Sequence, residues 1–329
     1  MTRRALITGI GGQDGSFLAE LLLDRGYEVF GTIRDESADY PNLDPVRDDV
    51  ELVVADLLDQ DSLLKTLEAH APDEVYNLAA PSFVPLSWQE PVRTAEFAAV
   101  GATAMLEAIR LSRPTTRFYQ ASSSEIFGEP RETPQNECTP LSPLTPYGVA
   151  KAYAHFIVGS YRRRYGLYAC SGILYNHESP RRPLEFVPRK VAHGAARIAL
   201  GLDRELVLGD LDARRDWGYA GDYVQAMWLM LQQDEPRDYV IASGVPHSVR
   251  ELVTVAFERL GLDWEDYVHV DESLKRGKAE LHDLVGDATQ ARERLGWAPS
   301  VDFEQLVQLL ADHELDRLRA TEPARVQAD

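Results

Sequence analysis

Apolar and polar positions follow two rhythms along the first half of the chain. Short apolar runs at 5–7, 28–33, 51–55, 74–78 and 117–121 have the length and composition of strands. Between them, stretches at 17–25, 61–70 and 94–112 repeat apolar residues at helical spacing, and the first closes on Gly26. Strands alternating with helices predict a doubly wound parallel sheet covered on both faces. Past about residue 168 the rhythm changes. Strand-like segments at 169–174, 206–208 and 239–242 alternate with loops rich in Arg, Pro and Asp, and helices are expected at 247–261 and 289–295. The pattern predicts an α/β protein with a first domain over 1–168, rejoined by segments at about 205–245. A smaller mixed α/β lobe spans mainly 169–320, followed by a frayed polar tail at 321–329.

A chain of 329 residues can bury such a core, and its charge narrows what it binds. With 34 basic and 53 acidic side chains the net charge is −19, which opposes association with nucleic acid or anionic membrane. Any anionic ligand must therefore be held by local clusters of Arg or Lys. The two cysteines, Cys138 and Cys170, form neither a metal-binding spacing nor a disulfide framework, so no metal is expected. No apolar leader precedes the first strand, and no stretch approaches the ~20 apolar residues of a membrane helix. A reducing, cytoplasmic setting is the expectation.

Between the first strand and first helix lies Thr8-Gly9-Ile10-Gly11-Gly12-Gln13-Asp14-Gly15. Glycines at 9, 12 and 15 allow a tight turn and close approach of backbone to a pyrophosphate at the helix N-terminus. A glycine-rich turn alone is common; its place between strand and helix makes it a Rossmann dinucleotide cradle. Gln13 and Asp14 are counted with it as cofactor contacts. The second strand ends Thr32-Ile33-Arg34, without the acid that holds a ribose 2′-hydroxyl. Arg34 suits a 2′-phosphate, which favours NADP; the neighbouring Asp35 leaves NAD open. Asp56 and Leu57 are placed to meet the adenine, and Leu78, Ala79 and Ala80 to line the path to the nicotinamide.

Tyr147 and Lys151, at i and i+4, share one helix face. An ammonium beside a phenol favours phenolate, so Tyr147 is expected as a base with its pKa pulled toward neutrality, while Lys151 also holds the cofactor ribose. The fifth strand ends in Ser122-Ser123-Ser124-Glu125. Ser123 is placed to share the proton with Tyr147. Glu125 is a second acid/base, which simple hydride transfer does not need but water elimination beside a ketone does. The plainer alternative for Glu125 is an ion pair with a nearby Arg.

The cradle, the Ser123-Ser124-Glu125 run and Tyr147-x-x-x-Lys151 resemble the extended short-chain dehydrogenases that act on nucleotide sugars. Further stretches narrow the resemblance to the GDP-mannose 4,6-dehydratase family: Asn176-His177-Glu178-Ser179-Pro180-Arg181-Arg182, Leu211-Asp212-Ala213-Arg214-Arg215-Asp216-Trp217-Gly218-Tyr219 and Asp222-Tyr223-Val224. Arg182, Arg189, Lys190, Arg214 and Arg215 concentrate positive charge in the second lobe, as a diphosphate requires. The resemblance implies that Ser82, Asn176, Arg182, Lys190, Arg215 and Glu280 contact a GDP-sugar. It also implies intramolecular redox with tightly bound NADP and a homodimer or tetramer. The chain departs from the family in having Ser123 for Thr, Asp35-Glu36-Ser37 after Arg34, Pro81-Ser82-Phe83 for Gln-Ser-His, and Gly277-Lys278-Ala279-Glu280 for Arg-Pro-x-Glu. A 4-epimerase or 4-keto reductase, a nucleotide-uronate decarboxylase and a non-catalytic NADPH-binding scaffold are the other readings open to these residues.

Overall fold

The computed structural model describes residues 2–274 and 284–321. The first half runs β1 (Arg4–Thr8), α1 (Gln13–Asp24), β2 (Glu28–Ile33), β3 (Val50–Val54), α2 (Gln60–His70), β4 (Glu74–Asn77), α3 (Val84–Gln89), α4 (Pro91–Ala95), α5 (Gly101–Ser112), β5 (Arg117–Ala121) and α6 (Pro146–Tyr165). One wide π-helical turn, Glu96–Val100, joins α4 to α5, so the helix expected over 94–112 begins earlier and is interrupted. The second half continues β6 (Ala169–Leu174), β7 (Asn176–Glu178), α7 (Val187–Ala199), β8 (Leu206–Leu208), β9 (Arg214–Tyr219), α8 (Ala220–Leu231) and β10 (Tyr239–Ile241). It closes with β11 (Pro246–Ser248), α9 (Val249–Arg259), β12 (Val268–Val270) and α10 (Phe303–Thr321).

Seven strands form one parallel sheet in the order β10-β6-β5-β4-β1-β2-β3. Its central strands are apolar on both sides because helices cover both: Ala5, Leu6, Ile7, Val75, Tyr76, Phe118 and Tyr119 are fully buried. One apolar cluster packs α1 and α8 on one face, and a second packs α2, α5 and α6 on the other. A third, around α7, α9, α10 and Trp217, is the core of the smaller lobe.

The boundary between the two lobes differs from the expectation. Residues 169–174, assigned to the lobe from the sequence, are the sixth strand of the main sheet, because an all-apolar run buried on both faces belongs in a covered parallel sheet. Residues 206–208 stay in the lobe, where β8 pairs with β12. The chain returns to the main sheet only with α8 and β10. At 247–248 the expected helix is instead the end of β11, paired with β9. Ser248 then caps α9 in a capping box with Glu251. Thr321 still belongs to α10, and residues 322–329 of the expected tail lie outside the described residues. Among the described residues no helix is long and apolar enough to cross a membrane.

Candidate active site

A cleft of about 1230 Å³ runs along the carboxyl ends of β1, β2, β4, β5 and β6 and continues under the lobe. This is where a doubly wound sheet offers its ligand crevice. Its floor begins with the turn from β1 into α1. Gly9 has φ +70, a conformation that glycine adopts without strain. A Cβ on Gly15 would lie 2.4 Å from the Gly9 carbonyl oxygen, so only hydrogen fits there. No side chain caps the α1 N-terminus, which leaves its first-turn amides open to an anion. Thr8 ties the ends of β1 and β4 together: its Oγ1 donates to Asn77 Oδ1 at 2.7 Å and accepts from the Leu78 and Ala79 amides at 3.0 and 3.1 Å.

Gln13 and Asp14 line the cleft, but their side chains face the start of the lobe. Gln13 Nε2 donates to the His177 carbonyl at 3.1 Å, and Ser179 Oγ donates to Gln13 Oε1 at 2.8 Å. Asp14 Oδ2 meets His177 Nε2 at 2.9 Å. The cradle is thus cross-tied to β7. Arg34 lines the cleft with its guanidinium 5.4 Å from the centre of the Phe97 ring. The Asp35 carboxylate is turned back onto its own loop, accepting from the Ser37 amide and hydroxyl at 2.8 and 2.7 Å, and is not part of the cleft wall. Asp56 is exposed and accepts from the Leu58 amide at 2.9 Å; Ala55 and Leu57, not Asp56, face the cleft. Leu78, Ala79, Ala80 and Ser82 all contribute to the wall.

The end of β5 and the start of α6 bring four polar side chains together. Thr145 caps α6, its Oγ1 accepting from the Gly148 amide at 2.9 Å, and Pro146 opens the first turn. Tyr147 follows and Lys151 lies one turn on, both buried and both lining the cleft. Ser123 and Glu125, on the turn after β5, complete the group. Burial pushes the Tyr147 phenol up to about 12; a hydrogen bond with Ser123 pulls it down, and the Glu125 charge pushes it further up. The expectation that Lys151 lowers this phenol does not hold for the protein alone. Lys151 Nζ donates to the Ala121 carbonyl at 2.8 Å and stands 5.6 Å from the Tyr147 ring centre, and burial lowers its own pKa to about 8. Desolvation outweighs a cation aimed elsewhere.

From the lobe, Asn176, Arg182, Lys190 and Arg215 reach the same cleft. Arg182 lies flat over Phe186, 3.5 Å from the ring centre, with its Nε 3.5 Å from the buried Glu178 carboxylate. Lys190 Nζ also donates to the Val207 carbonyl at 3.0 Å. Arg189 and Arg214 do not line it: Arg189 pairs with Glu314 at 2.8 Å, and Arg214 donates to the Pro246 carbonyl at 2.7 Å. Glu280 lies outside the described residues.

A family profile described as GDP-mannose 4,6 dehydratase matches residues 6–310. The chain belongs to the GDP-mannose 4,6-dehydratase family. A GDP-mannose 4,6 dehydratase of Arabidopsis thaliana is 49% identical over 325 residues, covering 95% of this chain and 87% of that protein. The GDP-mannose 4,6-dehydratase of Vibrio cholerae is 46% identical, covering 93% and 92%. Among solved structures, the Thermus thermophilus UDP-glucose 4-epimerase in complex with NAD is 28% identical with a TM-score of 0.82, covering 94% of this chain and 98% of that one. Within this GDP-mannose 4,6-dehydratase frame, the cleft residues that escaped the sequence reading include Tyr40, His177 and Glu178. Tyr40 packs against Gly11, whose added Cβ would lie 2.4 Å from its ring. His177 and Glu178 sit in a stretch singled out for its arginines, and nothing in their spacing marks them as buried charges in the wall.

Proposed function

We propose that the protein converts GDP-mannose to GDP-4-dehydro-6-deoxy-D-mannose by internal redox and loss of water. The observation that carries this reading is a carboxylate, Glu125, close enough to shift the Tyr147 phenol, in a cleft continuous with the dinucleotide cradle. The unstrained Gly9 turn, the close-packed Gly15 and the uncapped α1 amides fit a dinucleotide diphosphate. A nicotinamide dinucleotide held there would supply the hydride acceptor and donor that internal redox between C4 and C6 requires. Arg34 faces the cleft while Asp35 is occupied by Ser37, which supports NADP over NAD.

Tyr147 takes the C4 hydroxyl proton, with Ser123 close enough to favour its phenolate and Lys151 holding positive charge one turn away. Glu125 then takes the C5 proton, made acidic by the new C4 ketone, and gives it to the C6 hydroxyl, which leaves as water. The proton that Tyr147 took from the C4 hydroxyl passes to C5, so the sugar loses one water and no net hydride. Arg182, Lys190, Arg215 and Asn176 hold the nucleotide diphosphate end. A 4-epimerase uses the Tyr and Lys but has no step for Glu125. The test is to incubate the purified protein, without added cofactor, with GDP-mannose, UDP-glucose, dTDP-glucose and CDP-glucose. NMR should show a C6 methyl doublet from GDP-mannose; its absence there with a doublet from another donor reassigns the substrate.

A further inference from the structure

We infer that His177 is a positioning residue that works as an imidazolium, cancelling the Asp14 charge so that the cradle can accept the diphosphate of the cofactor. The inference rests on the dinucleotide reading of that cradle. His177 Nδ1 lies 2.8 Å from the Tyr175 carbonyl oxygen, and Nε2 lies 2.9 Å from Asp14 Oδ2. Both partners are acceptors: a carbonyl oxygen has no proton to give, and neither has a carboxylate. A neutral imidazole has one N–H and would set a lone pair against one of them. The arrangement is satisfied only when the pair holds one proton more, as imidazolium and carboxylate.

The surroundings support a buried cation. The imidazole stacks on Tyr223, with ring centres 4.5 Å apart and planes 21° from parallel. Asp14 raises the His177 pKa against the lowering effect of burial, while Arg182 lowers it. Glu178, the next buried acid, lies on the same strand. Tyr147 and Lys151, on α6, feel the Asp14 charge directly. Asp14 stands in the first turn of α1, where the diphosphate has to settle. Unless compensated, its carboxylate repels that ligand.

The charge is lost as pH rises through the His177 pKa. Cofactor affinity should then fall by up to about tenfold per pH unit, and binding there should take up a proton. Lys151, its pKa lowered by burial to about 8, also titrates at alkaline pH, so the wild-type profile alone does not discriminate. Asp14→Asn does: its amide donates to Nε2 and satisfies a neutral imidazole in the same geometry, with no extra proton and no carboxylate. Dissociation constants for NADPH and NADH, from fluorescence titration of cofactor-stripped protein between about pH 6.5 and 9.5, should be flatter with pH in Asp14→Asn than in the wild type. Nitrogen-15 NMR of the eight histidines, with the His177 signals identified by their loss in His177→Asn, should show both ring nitrogens protonated at neutral pH. Superimposable profiles, or a singly protonated His177 at neutral pH, overturn the inference. Failure of either cofactor to bind at any pH instead removes the dinucleotide reading, while the NMR result still reports on the ion pair.

Discussion

In the proposed mechanism Glu125 and Tyr147 divide the proton chemistry, and the Glu125 charge raises the cost of ionising the Tyr147 phenol. With the phenol pushed up to about 12, Tyr147 is a neutral phenol at rest, and its deprotonation waits on positive charge in the assembled site. Two substitutions separate their roles. Glu125→Gln should lower turnover of GDP-mannose by roughly a hundredfold or more while leaving oxidation at C4, visible as nicotinamide absorbance in a single turnover. If it turns over normally, elimination has another base and the dehydratase mechanism is wrong. Tyr147→Phe should abolish both the absorbance change and the product, with cofactor affinity little altered. At this scale the sequence was informative where chemistry is tied to spacing, as with Tyr147 and Lys151 on one helix face. It was misleading where the decisive partner is remote in sequence. Gln13 and Asp14 read as cofactor contacts and do line the cleft, yet their side chains are tied to His177 and Ser179, more than 160 positions away.

Helix α6 serves two surfaces at once. Its first two turns present Tyr147 and Lys151 to the cleft, and Thr145 fixes where the first begins. Thr145→Ala should cost about 1 kcal/mol of stability in urea unfolding. Because Tyr147 sits within the frayed turn, kcat should fall several-fold with little change in KM; loss of stability without loss of kcat would show that the cap does not position the phenol. Along its other side Val149, Tyr153 and Phe156 are exposed at helical spacing, near exposed Val100 on the turn before α5. Such a stripe on a helix is legible in the sequence as apolar residues, but only the fold reveals that nothing among the described residues covers it. The long central strands and helices were legible for the same reason that they are stable, since each buries an apolar face. The three-residue strands β7, β11 and β12 were not, because they are too short for a period and depend on partners set by the sheet.

In the whole molecule, these surfaces and charges bear on assembly and acid sensitivity. The resemblance implies a homodimer or tetramer, and we propose the exposed α6 stripe as the face of a homodimer. Sedimentation should give a dimer for the wild type and a monomer for Phe156→Glu; a wild-type monomer removes that proposal. Glu314 on α10 is 1% exposed and has Arg189, His193 and Arg317 of the lobe within 2.9 Å. Burial pushes its pKa up, but hydrogen bonds from His193, Arg317 and Arg189 outweigh this and bring it to about 2. A depressed carboxylate stabilises fully above its unfolded value near 4.5, and that stability is lost as pH falls toward 2. Glu314→Ala should cost roughly 3 kcal/mol and remove part of this acid dependence, measured by denaturant unfolding between pH 7 and about 3. Arg189 also donates to the Arg182 carbonyl, so the same loss should loosen the arginine over Phe186.

Only Tyr175 separates the last residue of β6 in the main sheet from the first residue of β7 in the lobe. The chain then crosses back at α8 and out again at β11, and the segment around Ala291 and Trp297 rejoins the main core before α10 returns to the lobe. The lobe is therefore woven into the sheet and is not appended to it. An engineer wishing to change the nucleotide that the enzyme accepts has no single splice point at which to exchange this half for a relative's. A chimera needs a matched junction at every crossing, and the change is better sought residue by residue along the cleft wall.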